Sequence, residues 1–135
     1  HTDGDSMVHF ENSNVVHMGD LIFNRRHPYI DKSAGASITG WIHVLDKAKS
    51  TFGNDTLFIY GHAGEGYPVT GKKEDLSAMQ HYLESLLAFT GKLRSEGKTL
   101  EEAVKAGGIP GAPEWKGEGT ERCIRAAWQE LEEGL

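Results

Sequence analysis

Three short segments of the sequence place a metal-binding type of side chain beside a glycine: His1-Thr2-Asp3-Gly4-Asp5, Gly19-Asp20 and Gly61-His62. Imidazole nitrogens and carboxylate oxygens are suitable ligands for zinc, iron or manganese. Each segment borders a predicted strand, and a glycine there would let the backbone turn so that the side chain projects into a cleft. Gly-Asp is nevertheless a common turn, and most Gly-His dipeptides have no catalytic role. The spacing therefore leaves two interpretations open, a shared metal site and three unrelated turns.

The other histidines favour a structural interpretation. Two lie on a predicted hairpin, where alternation can place them on the solvent side, and two lie on predicted helices. The residues expected to face solvent are His9, His17, His43 and His81. His27 lies in a predicted loop, and a substrate contact from His27 or from Tyr67 is a minor alternative. Asp3 and Asp5 are expected to organise the turn after His1 through hydrogen bonds to backbone amides.

Composition narrows the class of protein. The 135 residues fit one domain, 1–135, and a hydrophobic content of 38% is enough to form a core. A net charge of −6 without a cluster of Lys and Arg argues against a nucleic-acid partner, because phosphate binding depends on concentrated positive charge.

No apolar run reaches the roughly 18 residues that span a bilayer, so no membrane partner is expected. The single Cys123 excludes an internal disulfide and is expected to be buried, and the compartment, periplasmic or cytoplasmic, stays open.

Apolar runs predict three strands. Ser6 to Phe10 and Val15 to Phe23 flank the polar turn 11–14 and predict a hairpin. Gly19 interrupts the second run, which indicates a bulge or a break where the backbone passes close to another group. Thr56 to Tyr60 is a short apolar run, and it fits a strand that is buried on both faces.

Spacings of three and four between apolar residues predict the helices. The first runs from Ile38 to Phe52, with Ser37 or Thr39 as its N-cap and Gly53 as a left-handed residue after its end. A second helix is predicted from Glu74 to Glu96 and is ended by Gly97. A short third helix begins at the capping box Thr99 to Glu102, and a last helix runs from Thr120 to Glu133.

The order of elements is hairpin, helix, strand and three helices. It predicts an α/β or α+β domain in which helices cover a mixed β-sheet mainly on one face. Residues 24–36 and 109–119 are expected to be loops, and Glu130 to Glu133 are expected to form a solvated helix face. The second face of the sheet has no predicted partner.

The combination of motifs is more specific than its parts. The sequence contains His-Thr-x-Gly-Asp at 1–5, Val-Val-His-Met-Gly-Asp-Leu-Ile-Phe at 15–23 and Leu-Phe-Ile-Tyr-Gly-His-Ala-Gly at 57–64. In this order, and with a helix containing Trp41 before the last motif, they resemble the second half of the metallo-β-lactamase superfamily. The Lys-Thr-Leu-Glu-Glu-Ala-Val helix is similar to the broad hydrolase branch of that family, not to a nuclease branch. The resemblance covers residues 1–106.

This resemblance implies half of an αββα sandwich with a site for two metal ions, usually zinc. His1 would be the third histidine of the first ion. Asp20 would bridge both ions and take part in catalysis, and His62 would bind the second ion. In the family a metal-bound hydroxide attacks the carbonyl carbon of an ester, thioester, lactone or lactam. The implied cofactor is therefore zinc, and the implied partner is a small-molecule substrate.

The chain departs from the family pattern in one respect that affects activity. The first-half motif His-x-His-x-Asp-His, which would supply four more ligands, is absent. Two protein ligands per ion are fewer than the three or four of catalytic zinc sites. The resemblance thus implies the C-terminal portion of a hydrolase, and the chain alone is expected to be inactive.

Half of a sandwich would leave a sheet face and an edge strand uncovered. The chain is therefore expected to self-associate, as a dimer or by strand exchange, or to bind the missing N-terminal half. Two alternatives stay open. A non-catalytic module could keep the half-fold as a self-associating or partner-binding scaffold, and an unrelated α/β domain could match the motifs by accident.

Overall fold

The structure is a computed structural model that describes residues 7–30, 32, 35–116 and 119–134. His1, Asp3 and Asp5 lie outside the described residues, and so do the predictions made for them. The strands are β1 (Val8–Phe10), β2 (Val15–Asn24), β3 (Leu57–Ala63) and β4 (Thr70–Gly71). The α-helices are α1 (Ile38–Thr51), α2 (Lys73–Ser95), α3 (Leu100–Ala103) and α4 (Thr120–Gly134).

The strands form one mixed sheet in the order β1-β2-β3-β4. β1 and β4 run antiparallel to their neighbours, whereas β2 and β3 are parallel. Parallel neighbours cannot be joined by a tight turn, and α1 lies in the connection between β2 and β3. The predicted α/β class with a mixed sheet and the predicted hairpin of β1 and β2 are confirmed.

Gly19 interrupts the regular pairing of β2 with β3. His17 and Gly19 pair with the consecutive residues Ile59 and Tyr60, so one residue of β2 has no counterpart. Gly19 has a φ of +54°, which lies in the left-handed region that glycine tolerates best. The predicted bulge at Gly19 is confirmed, and it increases the local bend of β2 just before Asp20.

Both parallel strands are longer than the sequence predicts. Pairing of Phe23 with His62 and of Asn24 with Ala63 extends β2 and β3 together. β3 therefore continues past its predicted end at Tyr60, and His62 lies within the strand and not after it. For the same reason, the loop after β2 begins at residue 25, one position later than predicted. β4 carries no sequence signal, because two residues show no periodicity.

α1 begins where the sequence predicts, but it ends differently. The Ser37 side chain is the N-cap and accepts a hydrogen bond from the Gly40 amide at 3.0 Å. At the other end, Phe52 takes an extended conformation and donates its N–H to Ala48. Gly53 has no positive φ, so the prediction of a left-handed glycine at this end is wrong.

The later helices begin and end within one residue of their predicted bounds. Gly97 follows α2 with a φ of +78°, and Thr99 and Glu102 form both hydrogen bonds of the capping box before α3. α4 begins at Thr120. In the part of the chain that the structure describes, no helix is long and apolar enough to cross a membrane.

One face of the sheet packs against the helices. Alternate residues of β2 and β3 point to that face and are buried: Val16, Met18, Phe58 and Tyr60. The helices add apolar side chains to the same core, among them Leu45 of α1, Leu83 of α2 and Ile124 of α4. Trp41 is completely buried, and its indole N–H donates to the Leu21 carbonyl at 2.8 Å. This bond fixes α1 on β2.

The opposite face of the sheet exposes apolar side chains. Val8 and Phe10 are 51% and 53% exposed, and the β2 residues that pair with them share this face. β3 continues the face with half-buried aliphatic residues. We call this surface the open sheet face, and its apolar members are Val8, Phe10, Val15, Leu57 and Ile59.

Glu130 of α4 is not the solvated side chain that the sequence predicts. Its carboxylate accepts hydrogen bonds from the amides of Ile38 and Thr39 at 2.6 and 2.8 Å, and from the Thr39 hydroxyl at 2.9 Å. The Lys32 ammonium group donates to it at 3.1 Å. Glu130 thus satisfies N–H groups that the first turn of α1 cannot pair internally.

Candidate metal centre

Asp20 and His62 meet across β2 and β3, the two central strands of the sheet. His62 Nε2 lies 3.2 Å from Asp20 Oδ1. Asp20 follows the left-handed Gly19 of the bulge, and His62 lies on the neighbouring parallel strand. Two of the three predicted metal ligands are therefore close together, and the third, His1, lies outside the described residues.

Gly61 permits this contact because it has no side chain. A Cβ at residue 61 would lie 2.5 Å from Asp20 Oδ1 and 2.8 Å from the Gly19 carbonyl oxygen. Carbon atoms do not approach oxygen so closely, so any larger residue would displace the bulge or the carboxylate. The sequence predicts that this glycine serves to turn the backbone. Its actual role is to allow a close approach between strands.

Phe23 fixes the plane of the His62 ring. The two rings are stacked with their centroids 4.5 Å apart and an angle of 9° between their planes. The Phe23 side chain is itself buried, so it offers the imidazole a rigid surface. The His62 and Asp20 side chains remain 40% and 52% exposed, which leaves their polar atoms accessible to solvent and to ions.

The donor atoms of this pair fit two positions around one zinc ion. With zinc–ligand bonds of about 2.0–2.2 Å, two ligands of a tetrahedral shell lie about 3.4 Å apart. The observed 3.2 Å between Asp20 Oδ1 and His62 Nε2 is close to that spacing. Among the described residues, however, no group of three His, Cys, Asp or Glu side chains is placed to hold a metal ion. The described residues therefore supply two ligands, fewer than a catalytic zinc site uses.

A cavity of about 310 Å³ opens beside the pair. Its walls come from β2, β3, the segment after β2 and the start of α4. The lining residues are Asp20, Phe23, Arg26, His27, Tyr29, His62 and Arg122. His27, in the segment after β2, therefore lines the same cavity as Asp20 and His62. A small molecule bound here would lie against both candidate metal ligands.

His27 is the enclosed histidine of this cavity. It is 3% exposed, and burial lowers its pKa because the charged imidazolium would lose its hydration. Its Nδ1 lies 2.8 Å from the Tyr82 hydroxyl oxygen. The Tyr82 ring stacks on Trp115 with centroids 4.5 Å apart. A buried hydrogen bond to a well-packed partner thus orients the His27 ring.

Tyr67 lines a different cavity, of about 620 Å³, and does not reach the Asp20–His62 pair. Arg25 shares that cavity, with its guanidinium group 5.5 Å from the centre of the Tyr67 ring. Arg25 Nη1 also donates to Asp75 Oδ1 at 2.7 Å, which ties the end of β2 to α2. Arg26 lines both cavities and so lies between them.

The remaining histidines are exposed, as the sequence predicts. Three of them also have structural contacts that the sequence does not reveal. His17 Nδ1 accepts the Gly19 amide at 3.0 Å and so stabilises the bulge. His81 Nε2 lies 3.0 Å from the Gly111 carbonyl oxygen. His9 packs edge-on against Phe52 with ring centroids 4.8 Å apart.

Sequence reasoning did not single out the arginines of the 310 Å³ cavity. Arg26 is visible in the sequence only as half of an Arg-Arg pair, and Arg122 only as a charged helix residue. Their convergence depends on the backbone pairing of Arg26 with Lys116, which brings the start of α4 towards the end of β2.

No protein-family model matches this chain, and no curated protein matches it.

Proposed function

We propose that this chain is the C-terminal portion of a zinc-dependent hydrolase of the metallo-β-lactamase superfamily. In this assignment Asp20 and His62 would hold the metal ions through carboxylate oxygen and imidazole nitrogen. His1, by its place in the motif, is a ligand of the first ion. The observation that carries the proposal is the 3.2 Å distance between Asp20 Oδ1 and His62 Nε2 across two parallel strands.

The shape of the sheet supports the same proposal. The described helices pack on one face, and the open sheet face exposes apolar residues such as Val8 and Phe10. In an αββα sandwich that face would pack against a second sheet. The Asp20–His62 pair would then lie at the edge between the two sheets, where such a family has its metal ions.

The chemistry of the donor set limits the reaction class. Zinc at this position would supply a Lewis acid and a water that ionises near neutral pH, which suits hydrolysis of an ester, thioester, lactone or lactam. Within the chain, Asp20 and His62 donate the ligand atoms, and Phe23 holds the imidazole plane. With two protein ligands the affinity for zinc is low. Full hydrolase activity therefore requires the further ligands of a His-x-His-x-Asp-His motif in another segment.

A titration with zinc tests this proposal. Isothermal titration of the chain should show weak binding of one ion, and Asp20→Asn and His62→Gln should each lower the affinity at least about tenfold, because each removes a ligand atom. His43→Gln is the matched control, since His43 is an exposed histidine of α1 away from the pair. Equal zinc binding by the chain and both site variants would refute the metal assignment.

A second candidate function is a non-catalytic module that associates through the open sheet face. The exposure of Val8 and Phe10 favours it, because soluble monomers seldom expose contiguous apolar surface. This candidate needs no metal. Absence of zinc binding together with stable self-association would select it over the hydrolase.

A further inference from the structure

Arg25 has a backbone conformation that residues other than glycine seldom adopt. Its φ is +57°, in the left-handed region. Hydrogen bonds from neighbouring segments hold it there. The Lys116 amide donates to the Arg25 carbonyl at 3.3 Å, and the Gly64 amide donates to the Asn24 carbonyl at 2.7 Å. Strained residues that their surroundings fix in this way cluster at ligand-binding sites, which makes the Arg25 side chain a candidate for such a role.

The Arg25 guanidinium group uses one of its three nitrogens for hydrogen bonds within the described structure. Nη1 donates to Asn24 Oδ1 at 2.8 Å and to Asp75 Oδ1 at 2.7 Å. Nε is enclosed and has no hydrogen-bond partner, and it is the one such side-chain nitrogen or oxygen among the described residues. A buried donor without an acceptor is unfavourable, so this atom calls for an explanation. Nε and Nη2 form one edge of the planar group, and such an edge can bind two oxygens of an anion side by side.

Arg25 lines the 620 Å³ cavity together with two further cations, Arg26 and Lys116. The backbone bridge between Arg26 and Lys116 places these two residues next to each other. Neither side chain forms an ion pair with a described carboxylate. Positive side chains held side by side repel each other, and an anion bound between them would replace this repulsion by attraction.

Overall charge alone would not attract an anion to this cavity, because its wall also contains Glu65 and Glu114. Three basic residues stand against two acidic ones, and Asp75 already neutralises Arg25. Selection must therefore come from the positions of the donors. Tyr67 adds an aromatic surface beside them, since it is 42% exposed and its ring centre lies 5.5 Å from the Arg25 guanidinium carbon.

We propose that the 620 Å³ cavity binds a phosphorylated small molecule, whose phosphate lies on the free edge of Arg25 and pairs with Arg26 and Lys116. A phosphate monoester has a charge of about −1.5 to −2 at pH 7, which matches two unpaired cations better than the single charge of a carboxylate does. A cavity of about 620 Å³ is larger than a phosphate ion and typical of small-molecule sites, so the ligand has an organic part that lies against Tyr67. Because Nε is enclosed, the side chains around it move as the phosphate reaches it.

This site is separate from the candidate metal centre. Asp20 and His62 do not line the 620 Å³ cavity, and phosphate binding by basic side chains needs no zinc. The proposal therefore goes beyond the proposed function and does not depend on it.

Calorimetric titration with a chelator present tests the class of ligand. Phenyl phosphate should bind at least about tenfold more tightly than benzoate, which has the same ring but a single charge. Inorganic phosphate should compete with phenyl phosphate but bind more weakly, since it has no ring to contact Tyr67. Benzoate binding as tight as that of phenyl phosphate, or no binding of either, would overturn the proposal.

Substitutions in the cavity wall test its location. Arg26→Gln and Lys116→Gln should each weaken the binding of phenyl phosphate about tenfold, because each removes one of the two unpaired charges. Glu114→Gln should instead tighten binding about twofold to threefold, because it removes a negative charge from the wall. Lys105→Gln is the matched control, since Lys105 is exposed and does not line the cavity. An equal loss in the control would mean general attraction to surface cations and would reject the site.

The free edge of Arg25 can be observed directly by NMR. The Arg25 Nε–H resonance of the nitrogen-15-labelled chain should shift as phenyl phosphate is added. Arg25→Lys keeps the positive charge but lacks the edge, so it should weaken binding about tenfold. The resonance is measured on the unmutated chain, so it decides the role of Arg25 whether or not this variant folds. A resonance that stays unchanged at saturation would overturn the proposal.

Discussion

At the scale of single residues, the candidate site depends on the absence of a side chain at residue 61. The carboxylate of Asp20 occupies the space that a Cβ on Gly61 would need. His62, the next residue, then faces the same carboxylate with its ring held by Phe23. The close approach of the strands and the pairing of the two polar side chains are therefore one structural feature.

Gly61→Ala should disrupt this feature. The new methyl group would contact Asp20 Oδ1 and the Gly19 backbone, so we expect a loss of about 1–3 kcal/mol in the free energy of unfolding and weaker zinc binding. Urea denaturation and zinc titration measure the two effects. Gly108→Ala is the matched control, since nothing lies within 4 Å of its added Cβ, and its stability should change by less than about 0.5 kcal/mol. An unchanged Gly61→Ala protein would contradict the close contact.

The sequence predicts these site residues better than it predicts their surroundings. Asp20 and His62 stand out because each follows a glycine in or next to an apolar run, and Gly19 signals the bulge. Arg26 and Arg122 carry no such local sign. Their shared cavity depends on the packing of α4, which joins residues far apart in sequence.

At the scale of elements, α4 supplies the cap for α1. Ser37 caps the helix locally and can be recognised from the sequence, whereas Glu130 binds the same first turn from the other end of the chain. Glu130 has the appearance of a solvated acid in the run Glu130 to Glu133, and only the packing of two helices reveals its role. Short-range patterns therefore predict the helix, but not the contact that orients it.

Glu130→Gln should destabilise the protein in a pH-dependent manner. Burial alone would raise the Glu130 pKa, but hydrogen bonds from the Thr39 and Ile38 amides, the Thr39 hydroxyl and Lys32 outweigh it and lower the pKa from 4.5. A lowered folded-state pKa means that the stabilisation is complete above the unfolded-state value and is lost as the pH falls through the folded-state value. We expect the substitution to cost about 1–3 kcal/mol at pH 7.

Urea unfolding of both proteins between pH 7 and pH 3 measures this difference. The gap between them should begin to narrow below about pH 4.5, where Glu130 becomes protonated in the unfolded chain, and should close as the pH falls through the lower folded-state pKa. Glu133→Gln, an exposed change on the same helix, should show no such gap. A constant difference at every pH would exclude the charge of Glu130 as the cause.

At the scale of the whole molecule, the sheet has two unlike faces. One packs on the helices, and the open sheet face exposes apolar residues along β1 and β2. Edge strands as short as β1 and β4 limit pairing through their backbones, so association through the face itself is the more favourable route. We expect the isolated chain to form dimers at high concentration.

Phe10→Ser should weaken such dimers about tenfold or more, because it removes a large apolar side chain from the contact surface. Sedimentation velocity over a range of concentrations would measure the dissociation constant. His9→Ser provides the matched control, since His9 lies on the same strand but points to the helical side, where it contacts Phe52. A chain that stays monomeric, or one that loses its dimer equally in both variants, would contradict association through the open sheet face.

The parallel arrangement of β2 and β3 also determines when the candidate site can form during folding. A long loop that contains α1 must close before Asp20 can meet His62, and this closure costs conformational entropy that local helix contacts do not offset. The pair is therefore absent from any intermediate in which the helices alone have formed. On the ribosome, a nascent chain that has completed α1 but not β3 holds Asp20 without its imidazole neighbour, and cannot yet bind an ion between them.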